Sequence, residues 1–312
     1  MEKVTLGSSP LEASRIAYGC WRIATTGDTK TDLLTARNAV LAAVEAGITL
    51  FDLADIYCRG RAESAFGQVL HEHPSLRKKI LIATKCGIRF EGDPAGAPYR
   101  YDSTAEHIIR SCEGSLRRLG VDRIDLFQIH RPDWLMDIDE VVKAFQKLEK
   151  QGKVRDFGVS NFTPTQVEAL GKVMLKNAEL PIVVHQMEIS LAQLAAFTDG
   201  TLDQCQMNNI TPLAWSPLGS GFLADGGKDP LPSQAGYETA AIIAELDEIA
   251  AAHSSTRTAI ALAWLLRHPA KIVPIIGSTN PDRITAAAAA AKITLTREEW
   301  YRLLTAAKGS LP

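Results

Sequence analysis

The sequence predicts a closed (β/α)8 barrel, and three observations carry the prediction. Short β-rich apolar runs alternate with longer segments of helical period, the alternation repeats eight times, and the strand candidates are nearly continuously apolar. Such strands belong to a parallel sheet covered by helices, and eight repeated βα units imply that the sheet closes on itself. Rossmann-type sheets are the main rival, but GxGxxG is absent and so is GxxxxGK[ST].

Taken in order, the strands are predicted at 15–18, 49–52, 80–84, 124–129, 154–159, 182–185, 211–215 and 272–276. Helical patterns fall at 31–46, from Ala62 onward, and at 104–119, 137–151 and 163–172. Two connections rich in Pro and Gly, 89–102 and 216–236, follow the third and seventh strands, and loops of that length are more often functional than idle. An extra Ala-rich helix is expected at 237–253. The small side chains of 286–291 suit a closely packed barrel helix, and an amphipathic helix at 296–307 ends the pattern.

At 312 residues the chain exceeds the usual domain size, yet α/β barrels of this length fold as one unit. With neither duplication nor linker, 1–312 is expected to be one domain. Hydrophobic residues at 46% and charged residues at 22% allow a large core, and a net charge of −2 gives no electrostatic reason for nucleic acid or an anionic membrane as partner. Cys20, Cys58, Cys86, Cys112 and Cys205 are odd in number and never spaced as CxxC, which argues for reduced thiols in the cytoplasm rather than disulfides or zinc. Neither a signal peptide nor a membrane-spanning helix is expected. His71 and His73 lie two apart near a helix end, do not share a face, and make a poor metal site.

In such a barrel the reactive groups belong where strands stop, on the C-terminal face. Trp21 follows the first strand; Asp52 ends the second, with Tyr57 five residues on; Lys85 ends the third and His130 the fourth. Ser160 and Asn161 end the fifth, Gln186 the sixth, Trp215 and Ser216 the seventh, and Gly277 and Ser278 follow the eighth. Each has an ordinary explanation alone: a capping Asp, a surface Lys, a core His, a cap before Thr163 and Pro164. Their joint placement points to chemistry. A phenol titrates near pH ~10 in water, and an ammonium beside it favours the phenolate, so Lys85 is expected to bring Tyr57 down. Asp52 would keep Lys85 charged in a partly dry site, and His130 could donate to the same oxygen that Tyr57 protonates. The set suits charge developing on a carbonyl oxygen.

Through DLADIY, TKCG, QIHRPD, FGVSNFTP, HQMEIS, AWSPLGSGF and IGSTNPDRI, the chain resembles the aldo-keto reductases over essentially its whole length, most closely their bacterial YdhF-like members. The resemblance implies a TIM barrel, a catalytic tetrad of Asp52, Tyr57, Lys85 and His130, and NADPH as cofactor. On the same basis Ser160, Asn161 and Gln186 would hold the nicotinamide carboxamide, Trp215 would stack on its ring, and Ser216, Pro217, Leu218, Gly219, Ser220 and Gly221 would bridge the pyrophosphate. Ser278 and Arg283 would bind the 2′-phosphate beside Gly277, a guanidinium being well shaped for it. Many members have lysine at the position of Gly277 and a Glu-Asn pair at Ala286 and Ala287, so the strength of NADPH preference over NADH stays open. Trp21, Arg131 and parts of 89–102, with Tyr57 and His130, would shape a substrate pocket that no long C-terminal loop closes.

The expectation is therefore a metal-free, cytoplasmic reductase of small-molecule carbonyl compounds, monomeric with an oligomer left open. Two alternatives remain from the residues: a Schiff-base aldolase using Lys85, which needs a depressed lysine pKa, and a nicotinamide-binding regulatory protein with a redox-sensing output. The physiological substrate and the direction of reaction stay open.

Overall fold

Residues 1–227 and 239–310 are described by a computed structural model. An antiparallel hairpin comes first, β1 (Lys3–Thr5) and β2 (Glu12–Ser14). The barrel strands β3 (Ala17–Gly19), β4 (Leu50–Asp52) and β5 (Leu81–Cys86) follow, and a second hairpin, β6 (Ile88–Arg89) and β7 (Arg100–Tyr101), rises from the end of β5. Then come β8 (Ile124–Ile129), β9 (Val154–Ser160), β10 (Ile182–Glu188), β11 (Thr211–Trp215) and β12 (Val273–Ile276). Apart from the two hairpins, all of these strands run parallel in one closed barrel, with β12 pairing back onto β3 and β9 onto β10.

The helices are α1 (Thr29–Glu45), α2 (Arg61–Glu72), α3 (Ala105–Leu119), α4 (Ile138–Lys150), α5 (Pro164–Ala178), α6 (Thr201–Met207), α7 (Ala240–Ala252), α8 (Arg257–Leu266), α9 (Pro281–Ala288) and α10 (Arg297–Lys308). Their starts are written in the sequence as side-chain caps. Thr163 with Gln166 and Thr296 with Glu299 form reciprocal capping boxes, and Asp28, Thr104, Asp137 and Asn280 each accept from a first-turn backbone N–H.

All eight predicted strands are present, 124–129 and 211–215 with unchanged bounds. The first lies later than predicted, at β3, and β5, β9 and β10 continue past the point where their apolar runs stop. Neither hairpin was predicted. The helix expected from 237 begins at Ala240; the start of that prediction and 228–236 of the connection after β11 lie outside the described residues. The Ala run 286–291 divides between α9 and a 3₁₀ turn, Ala289–Lys292.

Inside the barrel, Leu50, Ala83, Leu126, Val184 and Leu213 form an apolar plug together with Val4, Leu6, Leu11 and Ala13 of the first hairpin region. The Gly7 amide donates to Thr211 Oγ1 at 2.8 Å, where β11 starts, so the hairpin covers the N-terminal end. That leaves the opposite mouth for polar groups.

Candidate active site

Alternation along the strands decides which side chains reach that mouth. Leu50, Ala83, Leu126 and Val184 point into the apolar interior, and two residues on, on the same face, stand Asp52, Lys85, Gln128 and Gln186. His130 follows Gln128 by two more. Beyond β4 the chain keeps bonding along β5: Leu53 N donates to Ala83 O at 2.8 Å and Asp55 N to Lys85 O at 3.0 Å. Tyr57 is thereby delivered over Lys85.

Lys85 is fully buried, and a buried ammonium is tolerated only with its donors satisfied. Its Nζ donates to Asp52 Oδ2 at 2.8 Å, to the Leu53 carbonyl at 2.7 Å and to Tyr57 Oη at 3.0 Å, which uses all three protons. Asp52 Oδ1 accepts from Gln186 Nε2 at 2.9 Å. Burial works against the Lys85 charge, but Asp52 and then Tyr57 outweigh it, and the pKa ends above the ordinary lysine value.

Tyr57 departs from the sequence expectation. Burial raises its pKa by more than the Lys85 field lowers it, Asp52 adds to the rise, and the phenol holds its proton more firmly than in water. His130 moves the other way: burial, then the cations of Lys85 and Arg131, keep its pKa well below the usual imidazole value. The ring is therefore neutral near pH 7. It stands edge-on to Tyr57 with ring centres 5.8 Å apart.

Asn161 follows β9 with a left-handed backbone (φ 61°), and Nδ2 donates to the His130 carbonyl at 3.1 Å and to Ser160 Oγ at 2.7 Å. Its Oδ1 accepts from Trp215 Nε1 at 3.0 Å. Ser160, Asn161, Gln186 and Trp215 are thus joined to Asp52 and His130 by hydrogen bonds, and the helix cap considered for Ser160 and Asn161 falls to Thr163 instead. After β11, Ser216, Gly219, Ser220 and Gly221 all have left-handed φ, in one turn with Pro217 and Leu218. Gly277 and Ser278 follow β12, and Arg283 lies in the first turn of α9. A Cβ on Gly277 would stand 3.2 Å from Arg22 Nη1, so a guanidinium occupies the space a side chain there would need. Ser278, Arg22 and Arg283 supply hydroxyl and guanidinium donors, which suit phosphate oxygens, while in the 216–221 turn the Gly219 and Gly221 amides already donate to the carbonyls of Ser216 and Leu218.

A cavity of about 460 Å³ opens over Tyr57, lined by Trp21, Ile56, Tyr57, Cys58, Arg59, Arg61 and Phe90. Of the residues expected to shape a substrate pocket, Tyr57, Trp21, whose ring lies 6.5 Å from that of Tyr57, and Phe90 from 89–102 line this cavity. His130 and Arg131 are not among the lining residues, whereas Ile56, Cys58, Arg59 and Arg61 are and were not singled out. Their proximity to Tyr57 in sequence was the available signal. The left-handed backbone at Cys58 (φ 51°) and Arg59 (φ 57°), which turns them to the same cavity, was not readable. A larger cavity, about 930 Å³, lies at the opposite rim between Arg77, Gly120, Arg123 and Gly152 and touches none of these groups.

Among the described residues no group of three His, Cys, Asp or Glu stands so as to hold a metal ion, and no helix is long and apolar enough to cross a membrane. His71 lies in the last turn of α2 and His73 caps it.

Residues 15–307 match the model of the Aldo/keto reductase family. The chain is 42% identical to a 6-dehydroglucose reductase of Agrobacterium fabrum, over 99% of each chain. It is also 42% identical to a 6-dehydroglucose reductase of Novosphingobium aromaticivorans, over 97% of this chain and 95% of that protein. With oxidoreductase YdhF of Escherichia coli the identity is 38%, over 99% of this chain and 98% of the other.

Proposed function

The chain belongs to the aldo-keto reductase family, and from that premise we propose that it reduces an aldehyde or ketone with NADPH, with Tyr57 as proton donor. The observation that carries the reading is the phenol of Tyr57 at 3.0 Å from an ammonium that Asp52 holds at 2.8 Å, at the open mouth of the barrel. A reduced nicotinamide bound there supplies hydride to the carbonyl carbon. Tyr57 gives its proton to the carbonyl oxygen as negative charge gathers on it, and the O–H bond of the phenol breaks as that of the alcohol forms. The phenolate left behind lies against the Lys85 cation, which Asp52 keeps charged. The raised phenol pKa keeps the proton on Tyr57 near neutral pH, and an alkoxide, a far stronger base than phenolate, can still draw it. Neutral His130 has one ring N–H to offer to the same oxygen.

For the cofactor, Ser160, Asn161 and Gln186 would face the carboxamide: both Asn161 Nδ2 protons are spent within the protein, so Asn161 would accept through Oδ1, and Gln186 Nε2 keeps one N–H to donate. Trp215 would stack on the nicotinamide, the turn from Ser216 to Gly221 would take the pyrophosphate, and Gly277, Ser278 and Arg283 the 2′-phosphate. A Schiff-base aldolase is disfavoured because it needs a neutral Lys85 amine, and all three ammonium protons are engaged. Two relatives are named as 6-dehydroglucose reductases, which makes that uncharged sugar aldehyde one substrate to assay.

Tyr57→Phe tests the reading. Turnover in an NADPH-oxidation assay should fall by about 10²–10⁴, the usual worth of a positioned acid, with NADPH binding by fluorescence titration retained. Unchanged turnover would remove Tyr57 from the chemistry.

A further inference from the structure

Resting on the carbonyl-reductase reading, we propose that Arg59 seats an anionic group on the substrate, so that the preferred aldehydes carry a carboxylate or phosphate away from the carbonyl.

The cavity over Tyr57 has two guanidiniums among its lining residues and no acidic side chain. Arg61 is partly spent: its Nε faces Asp32 at 3.8 Å and its Nη2 donates to the Ala24 carbonyl at 3.3 Å. Arg59 is not. Among the described residues no carboxylate lies within ion-pair distance of it, and its contact is with the Phe90 ring, 4.1 Å from the guanidinium carbon. A guanidinium held over a ring face uses none of its N–H groups in that contact, which leaves them for a planar or tetrahedral oxyanion.

Two further observations agree. Arg59 holds a left-handed backbone, uncommon for a residue with a side chain, and that conformation brings it to the same cavity as Tyr57 only two positions earlier. The reduction itself has no use for this charge, because Lys85 already supplies the cation beside Tyr57. In a chain of net charge −2, the unpaired guanidinium of Arg59 concentrates field where substrate enters. Anionic aldehydes gain from that field, and an uncharged one such as the 6-dehydroglucose for which two relatives are named does not, so it is expected to be the weaker substrate of this chain.

Paired probes that differ in charge test this: 4-oxobutanoate against its methyl ester, and glyceraldehyde 3-phosphate against glyceraldehyde. Each pair is measured by calorimetric binding without cofactor and by kcat/KM with NADPH, for wild type, Arg59→Met and Arg59→Lys, with thermal melts checking that the variants fold. A charge-assisted, two-pronged hydrogen bond predicts a preference of about tenfold for the charged member of at least one pair. That ratio should fall toward one in Arg59→Met, persist in part in Arg59→Lys, and shrink as salt is raised. A ratio near one for both pairs in wild type, or one unaltered in Arg59→Met, overturns the proposal. Should no aldehyde be turned over, the reductase reading fails, and the binding ratios still decide the role of Arg59.

Discussion

Two residues before Tyr57, the carboxyl of Asp55 is buried against α3. Its Oδ2 accepts from Ser111 Oγ at 2.5 Å, and Oδ1 has no hydrogen-bond partner among the described residues. Nearby, Glu63 is already committed to Arg118 at 2.7 Å and Thr84 at 2.6 Å. Burial is the largest influence on Asp55; Ser111 opposes it, Glu63 adds to it, and the pKa is raised to about 7. Because the folded value exceeds the unfolded one, the folded state binds the extra proton between about pH 4 and 7, and stability is lost as pH rises through that window. At about 1.4 kcal/mol per unit, the full penalty above pH 7 is on the order of 4 kcal/mol. Asp55→Asn, which can still accept from Ser111, should therefore raise the urea-unfolding midpoint clearly at pH 8 and hardly at pH 4. An equal change at both would mean that Asp55 does not ionise in the folded state. The same physics explains what the sequence could and could not reveal about Tyr57. Its identity and its pairing with Lys85 were legible because polar groups at strand ends are few, but the sign of its pKa shift depends on how completely Cys20, Asp52 and their neighbours enclose it, which is set by the fold.

At the scale of elements, the strand ends were misread for one reason. A strand is read from where its apolar run stops, yet in a barrel the uppermost inward positions are polar, so β5 runs on through Lys85 and β10 through Gln186 to Glu188. The two hairpins escaped because β1 and β2 are three residues each and β6 and β7 two, too short for alternation to register. Strand spacing also makes a demand that composition hides. Gly158 of β9 lies opposite Val184 of β10, and a Cβ there would stand 2.4 Å from Val184 Cγ2 and 2.8 Å from its carbonyl oxygen. Ser160 pairs with Gln186 two residues further along the same ladder. Gly158→Ala must push the two strands apart just below the site. It should destabilise the fold by about 1–3 kcal/mol, as overpacking does. NADPH binding by fluorescence titration should weaken with it. A variant with lower stability and native affinity would show that the strain relaxes toward the closed end instead.

Across the whole molecule, the barrel separates a closed end that supplies stability from an open end that carries the chemistry. Both ends draw on the same strands: Leu50, Ala83, Leu126 and Val184 belong to the plug, and Asp52, Lys85, His130 and Gln186 stand above them. The first hairpin completes the plug without touching the mouth. Leu6 and Leu11 are buried, and at Gly7 (φ 55°) a Cβ would stand 2.4 Å from the Val183 carbonyl oxygen, a backbone approach that only glycine permits. Leu11→Ala should therefore cost about 2–5 kcal/mol in chemical denaturation, the range for emptying a buried leucine site. Below its melting range the folded variant should keep the wild-type NADPH affinity and kcat/KM, because no group that carries the proposed chemistry contacts the vacated space. Lower kcat/KM in that folded protein would mean that packing at the closed end is transmitted along β4 and β5 to Asp52 and Lys85, and that the plug sets the geometry of the site as well as its stability.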